Sequence, residues 1–190
     1  MKLSKTDKHK METRKRLLVI PAALLVIPVY IFLHELGHLL VMVACGARIL
    51  SFSIFTASVS GAGGHFTPFT QSLLDIAGAG FPLLVSLIYV LFFFDGRRQG
   101  VFSRFFSALF VLIPVMGLLA WVIVPVVYLF GHTTGAEDVI HFLNHSAVHP
   151  ILLMVLSLGV FCAFLGLAWK KGVFGVWQQL LKKDERAVGK

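Results

Sequence analysis

Long apolar runs alternate with short polar stretches along this chain. The runs extend from Leu17 to Cys45, Leu73 to Phe94, Phe105 to Phe130 and Ala147 to Trp169. Each has at least the ~20 residues that a helix needs to cross ~30 Å of hydrocarbon. Backbone groups in that medium must satisfy one another, so the pattern predicts four transmembrane helices. Pro28, Pro82, Pro114 and Pro125 fall inside the runs, where prolines mark kinks more often than ends. Between the first two runs, Ile49 to Ser60 alternates in part, and Gly61-Ala62-Gly63-Gly64 comes next as a turn signal. The expected fold class is an all-α membrane protein: about four transmembrane helices, with a short β-like segment between the first and second.

Composition agrees. The chain has 190 residues, of which 57% are hydrophobic and 14% charged. That is too apolar for a soluble domain, a disordered tail or a disulfide-built module. Of 17 basic residues, 16 fall in the N-terminal arm, in the linker holding Arg97, Arg98 and Arg104, and in the tail; Arg48 is the exception. With four spans those three segments share one side, and the positive-inside rule makes it the cytoplasm. Segments 46–72 and 131–146 then face outward. The expected organisation is a basic arm over 1–16, a four-span core over 17–169 and a basic tail over 170–190. The net charge of +8 is explained by topology and anionic lipid, and no motif points to nucleic acid. No signal peptide is expected, because the first apolar run far exceeds a signal core. A cell membrane is the expected location.

The first run contains His34-Glu35-Leu36-Gly37-His38. Residues four apart share a helical face, so both imidazoles can address one metal ion. Glu35 beside them suits the deprotonation of a water at the metal. Zinc is expected, since two imidazoles and one carboxylate leave an open tetrahedral position. Ionisable residues within a span are costly and mark function by default. The competing reading is a polar cluster that glues helices together.

With this motif in a transmembrane helix, the chain resembles the site-2 protease family of intramembrane zinc metalloproteases. The β-like segment and Ala77-Gly78-Ala79-Gly80-Phe81-Pro82 are similar to the segments after the zinc helix in that family. The resemblance spans roughly Phe32 to Pro150. It implies peptide-bond hydrolysis in a membrane-embedded protein or peptide, with Glu35 catalytic and with His34, His38 and a later acid as ligands. The family's acid is commonly an Asp preceding a Gly, and here Asp95-Gly96 falls on the cytoplasmic side. The resemblance instead carries the ligand role to Asp138, after the third span. Thr134 to Glu137 reads as a capping box that would occupy Glu137 and leave Asp138 free. Glu137, Asp75 and, in reserve, His141 stay open as alternatives. Independently, the motif lies ~26 Å along its helix from Leu17, hence in the outer half, on the side of Asp138.

His141, His145 and His149 repeat every four residues, read as a polar helix face with a second metal stripe or pH sensor as the sharper alternative. Gly159, Ala163 and Gly166 form a small-residue face that suits helix packing. Residues 50–60 are a candidate edge for strand addition by an unwound substrate. The alternative function is a non-hydrolytic metal-binding transporter or sensor.

Overall fold

The computed structural model describes residues 17–94, 100–131 and 138–175. The elements run α1 (Val19–Ala44), β1 (Ala47–Ser53), β2 (Ser58–Gly63), α2 (Pro68–Ile88), α3 (Val101–Leu129), α4 (Asp138–His145) and α5 (Pro150–Lys170). A π-helical turn, Tyr89–Phe93, prolongs α2. The helices α1, α2 with its π turn, α3 and α5 are long and apolar enough to cross a membrane. The chain is a membrane protein with four such helices among the described residues and a small antiparallel hairpin between the first and second. The four prolines named above all lie within helices.

Local chemistry sets the helix ends where hydropathy does not. The second span starts at Pro68, five residues before its apolar run. Thr67 caps it: its side chain accepts from the Thr70 backbone N–H, and Thr70 accepts in return from that of Thr67. Pro68 at the first helical position has no N–H to lose. The fourth span starts at Pro150, three residues after its run begins, because His149 accepts the Ile151 N–H and acts as the cap.

The hairpin differs from the sequence expectation. Its turn is formed at Ile54–Ala57, while Gly61 and Gly63 lie in β2 opposite Ile49 and Ala47. Hydroxyls do the work of the missing turn residues. Ser53 Oγ accepts from the Thr56 N–H, Thr56 and Ser58 share a hydrogen bond, and Ala57 adopts φ 45°. The fourth span also departs from expectation. Gly159, Ala163 and Gly166 are exposed, and α5 packs instead through Leu153, Ser157, Phe164 and Ala168.

Two apolar clusters hold the bundle. The larger joins Ala22, Val90, Phe105, Val111, Phe164 and neighbours at one end. The smaller joins Trp121, Val139, Leu143 and Leu153, seating the short helix α4 on α3 and α5. Beside the smaller cluster, and sharing Trp121 and Val139 with it, lies a cavity of about 760 Å³ bordered by the hairpin and by the start of α4.

Candidate metal centre

Three side chains meet in that cavity. His34 and His38 stand one turn apart on α1, and Asp138 opens α4. The His34 and His38 Nε2 atoms are 3.3 Å apart. Asp138 Oδ2 is 3.2 Å from the first and 3.4 Å from the second. Ligand atoms bound to zinc at ~2.0–2.1 Å in a tetrahedron are about 3.3 Å from one another, so the triangle has the required size. His38 Nδ1 lies 2.8 Å from the Leu74 carbonyl oxygen. A carbonyl only accepts, so Nδ1 carries the proton and, in the neutral ring, Nε2 presents a lone pair. That lone pair faces a carboxylate oxygen and a second imidazole nitrogen. A metal ion between them, or a proton on His34 Nε2, makes such a convergence favourable. Among the described residues this is the one group of His, Cys, Asp or Glu suited to hold a metal.

Glycine makes the close approach possible. A Cβ on Gly37 would collide with the backbone oxygen of Ala77 and lie 2.8 Å from its carbonyl carbon. The glycine within the motif therefore lets α1 and α2 touch backbone to backbone. A Cβ on Gly78 would sit against His38 Nε2 and 2.7 Å from His34 Nε2. The space beneath the ligand atoms exists because residue 78 has no side chain.

Glu35, 5% exposed, lines the same cavity. Burial opposes ionisation of Asp138, but the neighbouring imidazoles of His34 and His38 outweigh burial and hold its carboxyl below the usual carboxylate range. The N-terminus of α4 favours the same charge. Ala57, Ser58 and Val59 of the hairpin border the cavity, as do Tyr30 and Met42 of α1.

The other candidate residues take different places. Asp75 lies two turns inside α2, 8% exposed, with Oδ2 2.7 Å from His145 Nδ1. It ties the C-terminal end of α4 to α2, while the opposite end of α4 presents Asp138. His141 stacks on His145 with ring centroids 6.1 Å apart, and His149 caps α5. Thus the three histidines form no shared metal group. Glu137, the proposed capping box and Asp95-Gly96 lie outside the described residues.

Gly78, the Asp75–His145 pair and Tyr30 escaped sequence reasoning. The small-residue stretch Ala77–Gly80 was the available signal for the first. An acid and a histidine 70 positions apart gave none for the second. No protein-family model, curated protein or solved structure matches the chain.

Proposed function

We propose that the protein is an intramembrane zinc metalloprotease of the site-2 protease type, acting on peptide bonds of membrane-embedded substrates. The observation that carries this reading is the tetrahedral spacing of His34 Nε2, His38 Nε2 and Asp138 Oδ2 in a cavity shared with Glu35. Two imidazoles and a carboxylate form a catalytic rather than a structural zinc set, because a fourth position stays open. When bound, zinc supplies Lewis acidity, which lowers the pKa of a water and stabilises charge on a carbonyl oxygen.

Glu35 accepts one proton of the attacking water as its oxygen bonds to the peptide carbon. Glu35 then delivers a proton to the nitrogen as the C–N bond breaks. One water is consumed, and a carboxyl and an amine are released. Leu74 holds His38 in the productive tautomer through its carbonyl. A substrate helix keeps its carbonyls in internal hydrogen bonds, so it must unwind locally to react. Among the described residues no third strand pairs with the sheet, and β2 borders the cavity at Ser58 and Val59, which suits capture of an unwound strand. By the positive-inside rule this reading puts the site on the outer side and both termini in the cytoplasm, with the cell membrane as the proposed location.

The test compares wild type with Glu35→Gln, each reconstituted in vesicles with single-span peptides carrying Gly or Pro within the span. Mass spectrometry reads new peptide ends. Wild type is expected to cut, and Glu35→Gln to cut at least ~100-fold more slowly while retaining zinc. Equal cutting by both, or protein without zinc, contradicts the proposal. Zinc in both with cutting by neither selects the transporter or sensor reading.

A further inference from the structure

Tyr30 sits one helical turn before His34, its ring centroid 6.1 Å from that of His34. It lines the cavity that holds Glu35 and Asp138. Its hydroxyl rests over Gly117 of α3: a Cβ there would be 2.9 Å from the phenol oxygen. Thus the chain spends a glycine in the third span to let this hydroxyl lie where it does. Among the described residues no hydrogen bond takes up that hydroxyl, although a phenol in an apolar span normally finds a partner.

Helix geometry gives the arrangement a direction. At ~100° per residue, and taking Tyr30 as zero, His34 lies at about 40°, His38 at about 80° and Glu35 at about 140° around α1. The two histidines are therefore flanked by Tyr30 on one side and Glu35 on the other. A base on one flank leaves the opposite flank for a donor to the oxygen that gains charge.

We infer that Tyr30 is a catalytic residue whose hydroxyl donates a hydrogen bond to the substrate carbonyl oxygen as that oxygen becomes negative. The inference rests on the protease reading above. The phenol O–H stays intact through the cycle, so no proton is consumed. A preorganised donor of this kind is worth ~10²–10³ in kcat.

The test uses Tyr30→Phe, which keeps the ring and removes the hydroxyl, and Gly117→Ala, which keeps the hydroxyl and displaces it. The probes are a peptide phosphonamidate, whose tetrahedral anion has the shape of the reacting centre, and the matching planar peptide amide. Both variants should hold wild-type zinc, bind the planar peptide unchanged and bind the phosphonamidate about 100-fold more weakly. On any cleaved peptide the loss should fall on kcat and leave KM unchanged. Phosphonamidate affinity within twofold of wild type in Tyr30→Phe overturns the inference while leaving the protease reading intact. Loss of zinc in Tyr30→Phe also overturns it, since Tyr30 then supports the ligands. A zinc-free wild type overturns both.

Discussion

Replacing Gly78 by Ala tests the candidate centre without touching a ligand. The added methyl would lie 2.7 Å from His34 Nε2 and directly against His38 Nε2. Carbon packs at ~3.5–4.0 Å, so about 0.8 Å or more must open between α1 and α2, or both rings must turn. Zinc ligation tolerates shifts of only ~0.2 Å. Loss of an outer-shell partner alone costs ~10–100-fold in affinity, so displacement of two ligand atoms should cost at least ~100-fold, or about 2.8 kcal/mol. Gly80→Ala is the control: it lies in the same helix, and its Cβ would meet nothing within 4 Å. It should keep zinc and gain up to ~1 kcal/mol of helix propensity. Competition with a zinc-responsive chelating dye, in detergent, measures both variants and wild type. If Gly78→Ala binds zinc as tightly as Gly80→Ala, the ligand atoms do not meet over residue 78 and the reasoning fails.

Gly37→Ala should separate the helices rather than block the ligands, because its Cβ meets the Ala77 backbone. A destabilisation of ~1–3 kcal/mol is expected, read as a lower Tm; an unchanged Tm would place the helices further apart. Asp75→Asn should lower zinc affinity about 10-fold by loosening the end of α4 opposite Asp138, and His145→Ala should do the same. Unchanged affinity in both would leave α4 held by Val139 and Leu143 alone. For pH, the folded pKa of Asp138 lies below its ordinary value. The group therefore stabilises the metal-free fold above its unfolded pKa of about 4, and that contribution is lost as pH falls through the lower folded value. Once the imidazoles are charged, the stability gap between metal-free wild type and Asp138→Asn should shrink as pH falls below about 4 into stronger acid. A gap that widens below that pH contradicts the sign.

Four spans were legible because hydrocarbon leaves the backbone few choices, and the chain announces them by length alone. His34, Glu35 and His38 were legible because their spacing maps directly onto one turn of helix. The features that stayed hidden depend on contacts between distant segments. The closeness of α1 and α2 comes from Gly37 meeting Ala77 and from Gly78 meeting the imidazoles, which no single run of sequence reveals. Asp75 reads as an interfacial acid until α4 brings His145 to it. The hairpin turn was misplaced because its hydrogen bonds come from Ser53, Thr56 and Ser58, while the conspicuous glycines serve a strand. The small face of the fourth span does not pack within the chain, because small residues permit packing without requiring it.

X-ray absorption at the zinc edge, on protein purified without chelators, tests the central claim most directly. The account predicts one zinc per chain with two imidazole nitrogens and a carboxylate oxygen at ~2.0–2.1 Å, and an altered shell with weakened retention in Asp138→Ala. Zinc-free wild-type protein, or an identical shell in Asp138→Ala, would contradict it.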